Sequence, residues 1–304
     1  MKIFNSNVSL FFLAIFLIFF KINYSISKKL INQNEEYNDA FARNILYPLS
    51  AAAFSSVPNL CLKNIFKNST LIRQVTYKCD VTSSDSCSGF VVVDYDKKAV
   101  VIVFRGSISN EQVTFEVIDT IFKKKDKFIG GGFVSSYFNN AFQTVWNGGI
   151  KDAYLTIKNK FPTFETWVTG HSLGAAMASI CGSTISYLKY TNVNNIKQIT
   201  FGQPRTGDKN YAKAVDNLIS YSYRVIHKKD PVPHLPFKNL FGYVHHKEEI
   251  FYDNNMMPGS NYSLCSDEDD SNKCSNKHFD YDFNDHLLYF NRNIFTFEEE
   301  GCKY

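Results

Sequence analysis

Apolar runs alternate along this chain with segments whose apolar positions recur at helical spacing. Short runs rich in β-branched residues are typical of buried strands, and apolar positions three and four apart are typical of helices. The pattern predicts strands at 89–96, 99–104, 165–169, 196–201 and 221–226, and helices at 38–54, 135–160, 175–188 and 208–218. Strands and helices in alternation build a mainly parallel sheet with helices on both faces. We therefore expect an α/β protein with its site at the carboxyl ends of the strands.

The longest apolar run, residues 8–20, follows Lys2 and precedes the small-residue site Ser25-Ile-Ser27. This order is typical of a secretory signal peptide. The run is shorter than the roughly 20 residues that a membrane-spanning helix needs, so we favour cleavage near Ser27 over an uncleaved anchor. The prediction is a signal peptide at 1–27 and one domain at 28–304, secreted or delivered to a lumenal compartment.

The charge of the chain points to no charged partner. The formal net charge is +4, and it falls to +2 for 28–304 because the leader contains Lys2 and Lys21 and no acidic residue. This balance gives no reason to expect nucleic acid or an anionic surface as a partner.

Seven cysteines on a secreted chain suggest three disulfides and one spare thiol. Spacing alone allows many pairings, and Cys181, in the apolar segment 175–188, is expected to be a buried free thiol. Zinc-ligand spacing is absent from the sequence, so no metal is predicted. Asn68 and Asn261 begin two glycosylation sequons. The most economical pairing joins Cys79 to Cys87, Cys265 to Cys274 and Cys61 to Cys302.

The pentapeptide Gly170-His-Ser-Leu-Gly174 lies between a predicted strand and a predicted helix. A strand, a G-x-S-x-G turn and a helix together form the nucleophile elbow of an α/β-hydrolase. A Cβ at either glycine would crowd the neighbouring strand and helix. The turn would expose the Ser172 hydroxyl at a helix N-terminus, where the dipole favours developing negative charge. Ser172 is therefore the candidate nucleophile.

A serine nucleophile needs a histidine base and an orienting acid, and in this fold they follow the serine in the order acid, then histidine. Asp230 directly follows the strand 221–226, whereas Asp208 and Asp216 belong to a helix where capping or solvent exposure explains them. His286 opens the last apolar segment and is the favoured base. On spacing alone, His245 and His246 remain alternatives.

The oxyanion of an acyl-transfer intermediate needs two positioned donors. The residue after the nucleophile, Leu173, should supply one through its backbone N–H. The other should come from a loop after an early strand, and Phe104-Arg-Gly-Ser107 is such a loop. Gly106 permits a sharp turn there, and Ser107 could donate from its N–H and its hydroxyl.

Six motifs follow one another along the chain: Val103-Phe-Arg-Gly-Ser107, Gly132-Phe133, Val168-Thr-Gly-His-Ser-Leu-Gly174, Thr200-Phe-Gly-Gln-Pro-Arg-Thr-Gly-Asp208, Asp230-Pro-Val-Pro-His-Leu-Pro236 and Asp285-His-Leu287. In this order they resemble the class 3 lipases, the fungal lipase-like family, over residues 60–302. The resemblance implies the α/β-hydrolase fold, with Ser172 as nucleophile, Asp230 as acid, His286 as base, and Ser107 and Leu173 as oxyanion residues. It also implies the three cysteine pairs above and a short lid after Ser107.

The sequence departs from the family at two places. Ala175 replaces the usual glycine after the elbow, and the lid segment 108–118 lacks the tryptophan of several fungal relatives. Five apolar residues nevertheless predict one helical face that would cover the acyl site, unless they belong to the ordinary core. They are Val113, Val117, Ile118, Ile121 and Phe122.

The sequence thus predicts a secreted, monomeric lipase that cleaves carboxylic esters of lipids, of the triacylglycerol type, at a lipid–water interface. It would act through an acyl-enzyme, without a cofactor, a metal or a protein partner. A phospholipase A1 or an esterase for soluble esters would use the same site. An inactive lipid-binding protein is the alternative from another class, and the presence of all three triad residues argues against it.

Overall fold

The structure is a computed structural model that describes residues 36–79, 86–107, 121–238, 240–266 and 274–303. Tyr37–Tyr304 form one compact unit. Numbered in chain order, the strands are β1 Ser69–Lys78, β2 Ser86–Asp94, β3 Ala99–Phe104, β4 Lys125–Lys127, β5 Phe133–Ser135, β6 Glu165–His171, β7 Ile196–Phe201, β8 Gly207–Asp208, β9 Tyr221–His227, β10 Tyr243–Val244, β11 Glu249–Tyr252, β12 Ser263–Cys265, β13 Leu288–Tyr289 and β14 Arg292–Asn293.

Helical segments cover both faces of the sheet. The α-helices are Asp39–Phe41, Tyr47–Ala52, Asn59–Ile65, Ser136–Val145, Lys151–Lys160, Leu173–Tyr187, Lys209–Leu218, Phe283–Leu287 and Ile294–Glu299, with π-helical turns at Ala42–Leu46 and Trp146–Ile150 and 3₁₀ turns at Val193–Asn195, Val232–His234 and Ser275–Lys277.

The main sheet, within the described residues, has the strand order β1-β2-β3-β6-β7-β9-β11-β12. The five central strands from β3 to β11 run parallel. At the edges, β1, β2 and β12 are antiparallel to their neighbours. The expected fold, an α/β-hydrolase with a mainly parallel sheet and helices on both faces, is confirmed.

Buried side chains alternate along β3 between two apolar layers. Ile102 and Phe104 belong to the layer under the helices Ser136–Val145 and Leu173–Tyr187. Val101 and Val103 belong to the opposite layer, with residues of the helices Tyr47–Ala52 and Ile294–Glu299. Strands buried on both faces are expected in a parallel sheet, and this rigid layer structure fixes the loops at the carboxyl ends of the strands.

The long predicted helix at 135–160 is interrupted in the structure. It forms two α-helices joined by the π-helical turn Trp146–Ile150, in which Gly149 has φ +135°. Because glycine adopts this conformation without a Cβ penalty, the apolar stripe changes direction there without leaving the core. The sequence pattern did not predict β1, β11, β12 or the four-strand sheet β10-β8-β5-β4.

Three disulfides join Cys61 to Cys302, Cys79 to Cys87 and Cys265 to Cys274. Cys181 is a buried free thiol. The pairing expected from spacing and from the family resemblance is therefore confirmed. Cys61–Cys302 spans 241 residues and ties the start of the domain to its end.

Two predictions fall wholly or partly on residues that the structure does not describe. The signal peptide at 1–27 lies outside the described residues, as do Val113, Val117 and Ile118 of the predicted lid. Of the remaining lid residues, Phe122 is 2% exposed and packs edge-on against Phe138 and Tyr243. Phe122 is therefore a core residue. Among the described helices, none is long and apolar enough to cross a membrane.

Candidate active site

Ser172 occupies the turn between β6 and the helix Leu173–Tyr187. Its backbone has φ +58° and ψ −126°, a conformation that a residue with a side chain rarely adopts. Its N–H donates to the carbonyl of Phe201 in β7 at 3.0 Å, and its carbonyl accepts from the N–H of Ala175 at 2.9 Å. Bonds to the sheet on one side and to the helix on the other allow the strained turn to persist.

The two elbow glycines have no room for a side chain. A Cβ on Gly170 would lie 2.4 Å from the main chain of Gly174, in the first turn of the helix. A Cβ on Gly174 would lie 2.3 Å from the carbonyl oxygen of Phe104, at the end of β3. The helix Leu173–Tyr187 therefore contacts the backbones of β6 and β3 directly. This packing places Ser172 at the carboxyl end of the sheet.

Asp230 and His286 meet at that same edge. Asp230 follows β9 and is fully buried, and His286 lies in the short helix Phe283–Leu287 and is 3% exposed. His286 Nδ1 lies 2.9 Å from both carboxylate oxygens of Asp230. An Nδ1 that faces a carboxylate carries the proton, so Nε2 is left as the basic nitrogen.

Hydrogen bonds keep the buried Asp230 carboxyl ionised. Burial alone would raise its pKa, but the His286 ring, the Tyr289 hydroxyl and the Val232 N–H together hold the pKa below its usual value. Tyr289 Oη donates to Oδ2 at 2.6 Å and Val232 N–H donates to Oδ1 at 2.9 Å. The acid is therefore an oriented carboxylate that can stabilise an imidazolium.

Main-chain contacts hold the His286 segment against the end of β9. The Asp282 N–H donates to the carbonyl of Lys229 at 3.0 Å. The Lys229 N–H donates to the Asp285 carboxylate at 3.2 Å, and Asp285 also lies 3.5 Å from His227 Nδ1. These contacts bring the end of the chain next to the acid, although 56 residues separate Asp230 and His286.

The alternative bases have other partners. His245 Nε2 bonds the carbonyl of Pro233 at 2.7 Å. His246 Nε2 lies 3.3 Å from the side-chain amide of Gln203.

The alternative acids also bond elsewhere. Asp208 caps the helix Lys209–Leu218 by accepting from the N–H of Tyr211 at 2.9 Å. Asp216 accepts from the N–H of Lys247 at 2.9 Å. Of the acids and bases weighed from the sequence, the structure brings together Asp230 and His286.

The loop after β3 passes directly beside the nucleophile. A Cβ on Gly106 would lie 2.8 Å from the carbonyl oxygen of His171 and 3.3 Å from Cβ of Ser172. Ser107 follows and is exposed, and Leu173 begins the elbow helix and is buried. Leu173 thus directly follows Ser172, and the loop that carries Ser107 approaches Ser172 through Gly106.

Sequence reasoning missed the contacts that Tyr289 and Gly202 make with the acid–base pair. Tyr289, whose pKa is raised by burial and by the neighbouring carboxylate, bonds Asp230. Gly202 has φ +57°, and a Cβ there would lie 2.8 Å from the His286 ring and 2.9 Å from the Asp230 carboxylate. The motif Asp285-His-Leu-Leu-Tyr289 carries a signal for the tyrosine. Gly202 lies in the motif 200–208, directly after β7.

Comparison with known proteins places this site in a family. The model of the lipase (class 3) family matches residues 101–240. The Caenorhabditis elegans protein named Lipase ZK262.3 is 32% identical over 321 residues, covering 95% of this chain and 89% of that protein. The Fusarium solani protein named secreted mono- and diacylglycerol lipase 1 is 33% identical over 57% of this chain, which spans about half (50%) of that relative.

Solved structures define the fold. Lipase II from Rhizopus niveus superposes with a TM-score of 0.68 at 24% identity, covering 88% of this chain and 96% of that one. The chain thus has the α/β-hydrolase fold. It belongs to the class 3 lipase family and is a carboxylic ester hydrolase.

Proposed function

We propose that this chain is a secreted lipase that hydrolyses acylglycerol esters with Ser172, Asp230 and His286 as its triad. The observation that carries the proposal is the buried Asp230–His286 pair at the same sheet edge as the strained Ser172 turn. The carboxylate binds Nδ1 of His286 at 2.9 Å, so Nε2 can take the Ser172 proton. The names of the relatives support lipid esters as the substrate class.

The reaction follows from these roles. Ser172 Oγ attacks the ester carbonyl while His286 Nε2 accepts its proton, and Asp230 stabilises the imidazolium. The N–H of Leu173 and the donors of Ser107 bind the oxyanion, beside the positive end of the helix dipole. His286 then protonates the leaving alcohol, and a water molecule activated in the same way hydrolyses the acyl-enzyme.

Two observations support export. The described residues contain three disulfides, which form and persist in oxidising compartments. The predicted signal peptide at 1–27 and the word "secreted" in the name of the Fusarium solani relative agree with it.

The first test is ester hydrolysis by Ser172→Ala, with Ser56→Ala, an exposed serine outside the site, as the matched control. The wild type and the control should release p-nitrophenol from p-nitrophenyl butyrate. Ser172→Ala should lose a factor of about 10⁴ or more, because the attacking atom is missing. Folded Ser172→Ala with wild-type activity would overturn the assignment of the nucleophile, and an inactive wild type would favour a lipid-binding protein.

The substrate is tested with a panel of emulsified triacylglycerol and diacylglycerol, phosphatidylcholine vesicles and a soluble ester. The proposal requires an acylglycerol to be the fastest. Faster hydrolysis of phosphatidylcholine would point to a phospholipase A1, and a preference for the soluble ester would point to an esterase. A steep rise in rate as tributyrin passes its solubility limit would support a lid that opens at an interface.

A further inference from the structure

His171 lies between the nucleophile and the base, and the mechanism above gives it no role. It ends β6 and directly precedes Ser172, and it is 2% exposed. Its ring centroid is 4.5 Å from that of His286, with 34° between the planes. Phe54 and Tyr289 border the same ring at 6.4 Å and 5.8 Å.

One hydrogen bond connects this ring to the base. His171 Nε2 lies 2.7 Å from the main-chain carbonyl oxygen of His286. A carbonyl only accepts, so Nε2 carries the proton and Nδ1 holds a lone pair. Nδ1 is buried and has no hydrogen-bond partner among the described residues. Within the described part of the chain, the ring therefore makes its hydrogen bond through Nε2–H.

The ring stays neutral at working pH. Burial, together with the neighbouring His286 ring, lowers the pKa of His171 to about 3. A neutral ring suits this position, because a second cation 4.5 Å away would oppose the His286 imidazolium that forms during catalysis.

Two hydrogen bonds of the His286 segment lie on the acid's side. The Lys229 N–H bonds the Asp285 carboxylate, and the Asp282 N–H bonds the Lys229 carbonyl, so these bonds set the segment relative to β9. Neither of them involves β6, from which Ser172 projects. The His171 bond, in contrast, connects the residue directly before Ser172 to the main-chain carbonyl of His286.

We propose that His171 is a positioning residue whose Nε2–H bond to the His286 carbonyl fixes the distance between the His286 ring and the Ser172 hydroxyl. The inference rests on the proposed triad. Misplacing a catalytic group by about 1 Å can cost about 100-fold in rate, so loss of this bond should lower kcat and leave substrate binding unchanged.

Three substitutions separate positioning from packing. His171→Phe keeps a ring beside Phe54 and Tyr289 and removes the donor. His171→Gln places an amide N–H near the position of Nε2, whereas His171→Asn is too short to reach the carbonyl. The matched control is Tyr47→Phe, which removes another buried ring's donor to a main-chain carbonyl of the C-terminal segment, that of Arg292 at 2.7 Å.

The measurements are kcat and KM on p-nitrophenyl butyrate, expressed per folded molecule by near-ultraviolet circular dichroism, with Tm recorded in parallel. We expect His171→Phe and His171→Asn to lose about 10- to 100-fold in kcat with KM within about twofold. His171→Gln should recover most of kcat, and Tyr47→Phe should keep it.

Two results would overturn the inference: wild-type kcat in His171→Phe, or equal losses in His171→Gln and His171→Phe. Because wild-type activity and the Ser172→Ala result do not depend on His171, failure here leaves the proposed triad intact.

Discussion

The nucleophile turn and the acid–base pair lie at one edge of the sheet, yet different forces hold them. The Ser172 turn depends on close steric packing. Gly170 and Gly174 allow strands and helix to approach so closely that a Cβ on either glycine would lie 2.3–2.4 Å from backbone atoms. Ser172 and its two glycines lie within 170–174, although the backbone that Gly174 approaches is that of Phe104 in β3.

The Asp230–His286 pair is held by attraction. Side-chain and main-chain hydrogen bonds from His286, Tyr289 and Val232 converge on one buried carboxylate, and the partners come from segments up to 59 residues apart. Steric exclusion tolerates no change at a single position, whereas a hydrogen-bond network can lose one member and keep its shape. The two regions should therefore respond differently to substitution.

The largest effect is expected at the base. His286→Ala should lower kcat by about 10⁴ or more, because triad members act as a unit. His245→Ala should retain activity, since His245 bonds Pro233 and not Asp230. Kinetics on a soluble ester test this, and the reverse order of losses would assign the base to His245.

Gly174→Ala should damage fold and activity together. The added Cβ would press on the Phe104 carbonyl, and the main chain on both sides has little room to move. We expect a loss of about 3 kcal/mol or more in the free energy of unfolding, at the upper end of single substitutions. Urea unfolding followed by circular dichroism measures it. A variant with wild-type stability would contradict the steric account of the turn.

Tyr289→Phe should have the smallest effect and should leave the fold intact. Removing one of the bonds to the Asp230 carboxylate should cost about 1–2 kcal/mol of stability. The carboxylate of Asp230, with its lowered pKa, stabilises the fold above the ordinary pKa of about 4, and this contribution is lost as pH falls through the folded pKa. Without Tyr289 the folded pKa rises, so acid unfolding should begin at a higher pH.

The measurement is the midpoint of acid unfolding in Tyr289→Phe, with Tyr47→Phe as the control because it removes a buried hydroxyl that bonds Arg292. The control should keep the wild-type midpoint. An equal shift in both variants would mean that general loss of stability, and not the Asp230 carboxylate, explains the effect.

Local pattern was sufficient for the nucleophile turn and for most of the central strands. Apolar, β-branched runs identified β2, β3, β6, β7 and β9, because a strand buried on both faces carries apolar residues on both, even where β7 and β9 also contain Gln198 and Arg224. The short strands β8, β10 and β12 have no such run, and they exist because a neighbouring segment is already in place to pair with them.

The predicted lid face shows the limit of periodicity. Its spacing grouped Phe122 with residues of an amphipathic helix, but Phe122 packs into the core against Phe138 and Tyr243. A period identifies an apolar face and does not say which surface that face covers.

By itself the sequence determined the α/β class, the glycine-bounded serine turn and the resemblance to the class 3 lipases, because each depends on residues near in sequence or on motifs in order. Only the tertiary structure decided that Asp230 bonds His286 while His245 and His246 bond elsewhere, and that Tyr289, Gly202 and His171 contact the pair. The reason is physical. A hydrogen bond across 56 residues depends on how strands and loops pack, and spacing along the chain does not contain that distance.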